Sequence, residues 1–171
     1  QVTGTVDTNT VGIYTLNYGV TDSSGNATTI TRTVSIVDST LPVITSAATG
    51  TNLTENSGAG QTVYTITATD NVGVDSYAIS GIDASLLTLT GNIVSLDSDP
   101  DYETKSSYSF TVTASDAVGN TSASRAVTFS ISDIDDIAPV ITSGATGTDL
   151  TENSGAGQTV YTITATDNVG V

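Results

Sequence analysis

Residues 108–133, YSFTVTASDAVGNTSASRAVTFSISD, decide the fold class because apolar and polar residues alternate on both sides of a short polar break. One face carries Tyr108, Phe110, Val112, Ala114, Val127, Phe129 and Ile131. A period of two is typical of half-buried β-strands. The break contains Asp116-Ala117-Val118-Gly119-Asn120, and Asp, Gly and Asn are turn formers. The stretch therefore predicts two strands joined by a tight turn.

A looser copy of this pattern lies at 14–38, YTLNYGVTDSSGNATTITRTVSIVD, which has the same Asp-x-x-Gly-Asn break. A much closer repeat links residues 42–74 with residues 139–171. Pro42 recurs as Pro139, so the period is 97 residues, the size of one β-sandwich domain. The repeats predict three parts: the closing half of one domain at 1–41, a complete domain at 42–138, and the opening half of another at 139–171.

The remaining segments of the complete domain also favour strands. Thr, Ser, Val and Ile dominate, and β-branched residues suit a half-buried pleated surface. Shorter strands are predicted at SYAIS (76–80), LLTL (86–89) and NIVSL (92–96). About seven strands in about 100 residues indicate a sandwich of two antiparallel sheets. We therefore predict an all-β chain of tandem Greek-key β-sandwiches, with Tyr and Phe on the inward faces as core residues.

Composition excludes several functions. The 171 residues contain 3 Lys and Arg against 18 Asp and Glu, a formal net charge of −15. Such a polyanion repels nucleic acid and anionic membranes, which leaves cations, basic proteins or water as neighbours. His and Cys are absent, so imidazole and thiolate chemistry is excluded. No apolar run approaches the roughly 20 residues of a membrane span. We predict that the chain is not an enzyme and does not insert into a membrane.

Six carboxylates fall in three segments that a Greek-key sandwich can bring to one pole. They are Glu55, Asp101, Glu103, Asp133, Asp135 and Asp136. Two unit charges about 4 Å apart repel by roughly 4 kcal/mol at an effective dielectric constant near 20. A divalent cation reverses that sign, and Ca²⁺ accepts roughly 6–8 oxygens with looser geometry than Mg²⁺. The sequence predicts calcium beside residues 133–139; the alternative is a soluble, proline-stiffened connector.

These acids lie in motifs that resemble cadherin-type repeats, in the divergent form found in large bacterial surface and secreted adhesins. The resemblance rests on Glu55-Asn56, Asp101-Tyr102-Glu103 and the linker Asp133-Ile134-Asp135-Asp136-Ile137-Ala138-Pro139. It implies that the complete domain and the opening half-domain are cadherin-like and that Ca²⁺ binds between them and stiffens the junction. The implied metal ligands are Glu55, Asp101, Glu103, Asp133, Asp135, Asp136 and Asp167.

The first junction departs from this pattern. Val72 and Val169 stand where the resemblance implies a second Asp, and VDSTLPVI keeps only Asp38 of the linker acids. Residues 1–41 are more similar to a generic bacterial immunoglobulin-like repeat. We expect weak calcium binding or none at 38–42. A weaker metal site would involve Asp38, Asp70, Asp116 and Asp7; the alternative for Asp70 and Asp167 is a turn-forming role alone.

Together these features predict an extracellular or cell-surface spacer of a repetitive bacterial adhesin, stiffened by calcium at the 42–138/139–171 junction. Its predicted partners are neighbouring repeats of the same chain or copies of itself. Two alternatives remain open: a cell-cell or carbohydrate-binding module, and a filament subunit in which residues 139–171 of one copy complete residues 1–41 of the next.

Overall fold

Fourteen short strands carry the fold over the residues that the structure describes, 1–168 and 170. The structure is a computed structural model. The strands are β1 Val2–Thr3, β2 Gly12–Thr21, β3 Ala27–Ile36, β4 Val43–Ile44, β5 Leu53–Thr54, β6 Thr62–Thr65, β7 Ala68–Thr69, β8 Ser76–Ser80, β9 Leu87–Thr90, β10 Ile93–Leu96, β11 Ser107–Ser115, β12 Arg125–Ser132, β13 Val140–Ile141 and β14 Ala165–Thr166. A 3₁₀ helix spans Ala84–Leu86. Within the described ranges, no helix is long and apolar enough to cross a membrane.

The chain forms two compact units, Gln1–Ser132 and Asp133–Val171. Each unit is all-β apart from the 3₁₀ turn, which confirms the predicted fold class. The predicted three-part division into 1–41, 42–138 and 139–171 remains a prediction.

The two hairpins predicted from alternation are present in the first unit. Strand β2 pairs antiparallel with β3, and β11 pairs antiparallel with β12. In each hairpin the Asp of the turn caps the loop through the same bonds. The backbone N–H of Asp22 donates to the carbonyl of Asn26 (2.9 Å), and that of Asp116 donates to the carbonyl of Asn120 (3.0 Å). One local sequence motif therefore builds one turn twice.

The sandwich around β11 and β12 has three sheets, ordered β5-β12-β11-β8, β6-β10-β9 and β4-β7. Most pairs are antiparallel, as predicted, but β5 runs parallel to β12 through Leu53 opposite Ile131. Parallel pairing here follows from topology, because β5 and β12 are far apart in sequence and no hairpin joins them. The predicted pair at 86–96 is β9 and β10, antiparallel across Gly91-Asn92.

The core lies between the sheets and consists of the inward residues of the alternating strands. The aromatic rings are central to it. Tyr108 stacks on Phe129 with centroids 4.8 Å apart, and Tyr64 meets Phe110 edge-on at 5.9 Å. All four side chains are buried, so the prediction that they fill the core is confirmed. Burying such a side chain contributes about 1.5–3 kcal/mol.

The segment QTVYTITATD, 61–70, differs from the single strand that its alternation suggests. Strand β6 joins β10, whereas β7 joins β4 in another sheet. The chain changes sheets at Ile66 and Thr67. There the backbone N–H of Ile66 donates to the carbonyl of Asn92 (2.8 Å), and the Asn92 side chain donates back to the carbonyl of Ile66 (2.9 Å). A long-range partner therefore ends a strand that the local pattern would continue.

The second unit repeats the local bonds of its sequence copy. Strand β13 pairs with β14 as β4 pairs with β7. The backbone N–H of Thr142 donates to the carbonyl of Thr164 at 2.8 Å, as that of Thr45 donates to the carbonyl of Thr67 at 2.8 Å. Nearly identical sequence thus gives the same local structure at both places.

Candidate metal centres

Two groups of carboxylates converge within the first unit. In the Glu55 cluster, one carboxylate oxygen from each of Glu55, Asp101 and Glu103 lies within 4.8 Å of the others. The Asp38 cluster brings together Asp38, Asp70 and Asp116 under the same limit. Three of the seven main predicted ligands and three of the four weaker ones are therefore neighbours in space.

Glu55 is placed by strand β5 and is almost fully buried, with 2% of its surface exposed. Its backbone N–H donates to the carbonyl of Ser132, the last residue of the first unit, at 3.1 Å. Its Oε2 accepts from the backbone N–H of Tyr102 at 3.0 Å. The next residue, Asn56, has φ 58°, a left-handed conformation that Asn tolerates. The turn thus aims a buried carboxylate at the loop of Asp101.

Asp101 lies in an exposed loop between β10 and β11. Its Oδ1 accepts from the backbone N–H of Thr104 (2.8 Å) and its Oδ2 from the Thr104 hydroxyl (2.7 Å). These bonds, led by the hydroxyl, hold the pKa of Asp101 below its ordinary value. Asp101 therefore ionises more readily than an ordinary aspartate, because its pKa is lowered, and this favours cation binding.

Asp116 is buried and begins the turn between β11 and β12. Burial alone would raise its pKa, but the hydrogen bonds from Asn120 outweigh burial, and the pKa lies below the ordinary value. Oδ1 accepts from the backbone N–H groups of Val118 (3.0 Å) and Asn120 (2.8 Å), and Oδ2 accepts from the Asn120 side chain (2.6 Å). The turn keeps a buried carboxylate charged.

Asp38 is the most unusual member of the Asp38 cluster. It is 8% exposed, and its Oδ1 accepts from the backbone N–H of Thr40 at 3.0 Å. Its Oδ2 is buried and has no hydrogen-bond partner among the described residues. An unsatisfied buried polar atom costs about 1–3 kcal/mol, and more when charged. A cation in the cluster would remove that cost.

The third member, Asp70, is half-buried and caps the turn after β7. Its Oδ2 accepts from the backbone N–H groups of Val72 (2.9 Å) and Gly73 (3.1 Å). The turn-forming role that the sequence left open for Asp70 is therefore present, and it coexists with membership of the cluster.

The other predicted ligands lie elsewhere. Asp7 is exposed and outside the Asp38 cluster; its carboxylate caps its own loop by accepting from the backbone of Asn9 (2.9 Å) and the hydroxyl of Thr10 (2.8 Å). Four predicted ligands belong to the second unit: Asp133, Asp135, Asp136 and Asp167. Their approach to the Glu55 cluster remains a prediction.

Two of the three basic side chains are committed elsewhere. Lys105 forms an ion pair with the buried Asp83 at 3.0 Å, and Arg125 donates to the carbonyl of Ile44 at 3.3 Å.

Both clusters offer carboxylate oxygens as ligands, and these carboxylates come from separate loops. Calcium prefers this combination, because it needs oxygen donors but tolerates irregular geometry. The residues therefore fit Ca²⁺.

The sequence did not indicate that two side-chain amides lie near the Asp38 cluster. Asn120 was assigned only to a turn, yet its side chain donates to the carbonyl of Asp38 at 3.3 Å. Asn71 follows Asp70, and one end of its side-chain amide lies 3.2 Å from Asp70 Oδ2 and 3.3 Å from Asp38 Oδ1. Both amides lie close in sequence to an aspartate that forms a turn, and the sequence shows this. Their proximity to Asp38 depends on the fold and could not be read from the sequence.

Comparison with known proteins shows which protein families and folds the chain is similar to. Residues 1–36 match the family model of the bacterial surface protein, Ig-like domain. The Protocadherin-like wing polarity protein stan of Drosophila melanogaster is 31% identical over an alignment of 171 positions, which covers 90% of this chain and 5% of that protein. The crystal structure of human Protocadherin-24 EC1-2 is 26% identical with a TM-score of 0.60, over 75% of this chain and 61% of that one.

Two longer matches extend the fold similarity across nearly the whole chain. Mouse Protocadherin-24 EC1-3 is 23% identical with a TM-score of 0.64, covering 95% of this chain and 57% of that chain. The Protocadherin Gamma B2 extracellular cadherin domains 1-5 are 19% identical with a TM-score of 0.63, covering 98% and 37%. The chain has a cadherin-like β-sandwich fold, and its residues 1–36 match an immunoglobulin-like family of bacterial surface proteins.

The predicted resemblance and the predicted β-sandwich fold of these repeats are thereby confirmed. An extracellular or cell-surface location is supported by the bacterial surface family that residues 1–36 match and by the similarity to the protocadherin-like protein. The chain spans only about 5% of the length of the fly relative and 61% of the human structure. The activity and partners of a whole protein that contains these cadherin-like repeats are therefore matters for proposal.

Proposed function

We propose that this chain is an extracellular spacer segment of a bacterial adhesin, and that Ca²⁺ stiffens the second joint, residues 133–139. The observation that carries this proposal is the Glu55 cluster. Its buried member is bonded through its backbone to Ser132, where the first unit ends, and the acidic linker Asp133, Asp135 and Asp136 follows directly in sequence. Asp167 of the second unit would be a further ligand.

The mechanical role follows from the chemistry of the joint. Without a cation, like charges on the linker and on the Glu55 cluster repel, which favours a mobile joint. With Ca²⁺, the same oxygens become ligands of one centre and restrain it. Extracellular calcium modules have dissociation constants of about 10⁻⁴–10⁻³ M, so the joint would fill outside the cell and empty in the cytosol. A chain flexible during export would then stiffen after release.

Cadherin-like and immunoglobulin-like repeats are generally non-enzymatic, which agrees with a mechanical role. The predicted partners are neighbouring repeats.

Calorimetric titration with Ca²⁺ tests the proposal. The test variant is Asp136→Ala, and the control is Asp97→Ala, which removes an exposed carboxylate and so changes the charge equally. We expect Asp136→Ala to lose at least one bound ion, or about tenfold in affinity, and Asp97→Ala to bind as the wild type does.

Small-angle scattering supplies an independent measurement. The maximum dimension and the flexibility of the chain are compared in calcium and in excess chelator. The proposal requires a stiffer, more extended particle with calcium. An unchanged scattering curve, or an Asp136→Ala variant that binds as many ions with equal affinity, would exclude it.

Self-association is a second candidate, favoured by the difference in burial between the two sequence copies. Val63 and Ile66 are fully buried in the first unit, whereas their counterparts Val160 and Ile163 are exposed in the second. In this candidate, that apolar surface would pack against a hairpin such as residues 12–36 of another copy. Light scattering at high protein concentration decides this candidate, since a monomer there would reject it.

A further inference from the structure

A groove in the first unit lies apart from both carboxylate clusters. It encloses about 480 Å³, and its lining includes Asp75, Tyr77, Leu89 and Asn92. Strand β8, which carries Tyr77, is the outer strand of the β5-β12-β11-β8 sheet, and β9, which carries Leu89, is the outer strand of the β6-β10-β9 sheet. The groove therefore lies between the outer strands of two sheets. Its volume is within the range of about 300–1,000 Å³ that is usual for small-ligand sites.

Both walls of the groove are fixed by contacts with the rest of the fold. On one wall, the backbone N–H of Asp75 donates to the carbonyl of Ser115 at 2.8 Å, and Tyr77 packs against the core. On the other wall, the backbone carbonyl of Asn92 accepts from the N–H of Ile66 at 2.8 Å, and Asn92 Nδ2 donates to the carbonyl of Ile66 at 2.9 Å. The groove is therefore preformed.

The polar groups of the groove are mainly hydrogen-bond acceptors. Asp75 is exposed, and among the described residues its carboxylate has no hydrogen-bond or ion-pair partner. Because the Ile66 carbonyl can only accept, the end of the Asn92 amide that contacts it is the nitrogen, and Oδ1 is the free end. An ionised carboxylate also only accepts. The groove therefore suits a ligand that donates hydrogen bonds and carries positive charge.

Tyr77 adds an aromatic ring to this set. Within the described part of the chain, no other ring stacks on Tyr77 and no cation lies over it. A cation over the face of a tyrosine ring is attracted by the ring. The guanidinium of arginine is planar, stacks on aromatic rings and can donate to both oxygens of one carboxylate, whereas the ammonium of lysine is a strongly hydrated point charge. A carboxylate beside a tyrosine therefore favours arginine.

We propose that this groove binds an arginine side chain of a basic partner protein. The guanidinium would pair with Asp75 and stack on Tyr77, and Asn92 Oδ1 would accept a further hydrogen bond. Charge favours such a partner, because a chain of net charge −15 attracts basic proteins and repels acidic ones, and no basic side chain of its own lines the groove. This inference goes beyond the spacer role. It does not depend on calcium, since no groove residue belongs to either carboxylate cluster.

The test is a titration of the full ¹⁵N-labelled chain, in excess chelator, with acetyl-Gly-Arg-Gly-amide. The matched peptides carry lysine, which keeps the charge, or citrulline, which keeps the shape of arginine without the charge. We expect the backbone N–H signals of Ser76, Tyr77 and Gly91 to shift with saturation in the millimolar range of the arginine peptide. The lysine peptide should bind about threefold more weakly, and the citrulline peptide should not saturate.

Two variants identify the contacts. Asp75→Asn, which keeps the size of the side chain, should weaken binding of the arginine peptide about fivefold, because it removes a charge-assisted pair. Asp97→Asn removes an exposed carboxylate outside the groove and should bind as the wild type does. Tyr77→Leu should abolish the preference for arginine over lysine, and its amide spectrum shows whether the domain remains folded.

Three results would overturn the inference. The first is an affinity of Asp75→Asn within about twofold of that of Asp97→Asn. The second is a set of shifts spread over the acidic surface instead of the groove, which would mean long-range attraction alone. The third is saturable binding of cellotriose at Ser76 and Gly91 without binding of the arginine peptide, which would make the groove a sugar site. A failure of calcium to stiffen the second joint would leave all three measurements unchanged.

Discussion

The side-chain amide of Asn120 donates to the backbone carbonyl of Asp38 at 3.3 Å, across 82 positions of sequence. The same amide nitrogen lies 2.6 Å from Asp116 Oδ2. One side chain therefore links the turn between β11 and β12 to the segment that follows β3. At the predicted first joint, residues 38–42, this bond requires no ion.

Asn120→Ala should lower the free energy of unfolding of the first unit by about 1–2 kcal/mol, because it removes the amide that donates to Asp116 Oδ2 and to the Asp38 carbonyl. Asn26→Ala is the matched control. Asn26 makes the same local bond, 2.9 Å to Asp22 Oδ2, but its turn is exposed. Urea unfolding measures both variants. Equal losses in the two would mean that the contact with Asp38 contributes nothing.

Acid should weaken the first joint through Asp116, whose pKa lies below its ordinary value of 3.8 because hydrogen bonds from Asn120 outweigh burial. A carboxyl with a depressed folded-state pKa stabilises the fold fully above its unfolded-state pKa, and that contribution disappears as the pH falls through the folded-state pKa. The stability lost as the pH falls below about 4 should therefore be smaller in Asp116→Asn than in the wild type.

The measurement is urea unfolding in chelator at several pH values. Asp97→Asn serves as the control, since it removes one exposed charge outside both clusters. An Asp116→Asn profile parallel to that of the wild type over this pH range would contradict the prediction.

Lys105→Gln should destabilise the fold because Asp83 would lose its ion-pair partner. Asp83 is buried, and its other oxygen accepts from the backbone N–H of Ser109 at 2.7 Å. Lys105 is 35% exposed, so solvent screens the pair and the loss should be about 1 kcal/mol. Asp83→Asn, alone and combined with Lys105→Gln, completes a double-mutant cycle. A coupling energy of zero would show that the pair does not stabilise the fold.

Gly50→Ala should destabilise the complete domain by about 1–3 kcal/mol through overpacking. A Cβ at Gly50 would lie 2.6 Å from the carbonyl oxygen of Val63, so the backbone of β6 would have to move. Gly144→Ala is the control, since no atom of the described residues lies within 4 Å of a Cβ there and its counterpart in the first copy is already Ala47. Thermal unfolding compares them. A melting temperature that Gly50→Ala leaves unchanged would show that β6 accommodates the methyl group without strain.

The candidate sites were predictable from the sequence to different degrees. Glu55, Asp101 and Glu103 could be grouped because the resemblance orders their motifs, and they do meet. Asp7 was predicted to belong to the weaker metal site with Asp38, Asp70 and Asp116, and it lies outside that cluster. Its carboxylate serves its own loop instead, since Asn9 and Thr10 provide donors within three residues. These local hydrogen bonds hold the Asp7 carboxylate in its own loop, so the similarity between the two segments did not predict its position.

The sequence by itself determined the strands of the β11–β12 hairpin and both Asp-x-x-Gly-Asn turns. Both features depend on residues that are close together in the chain: the alternation of side chains along a strand and the hydrogen bonds within a turn. They can therefore be predicted without knowledge of the tertiary structure. Tertiary structure alone decided that the 61–70 segment divides between sheets, that Asp38 is buried with one oxygen unsatisfied by the described residues, and that Asn71 and Asn120 face it. These features depend on the register of strands separated by tens of residues, and no local preference encodes that register.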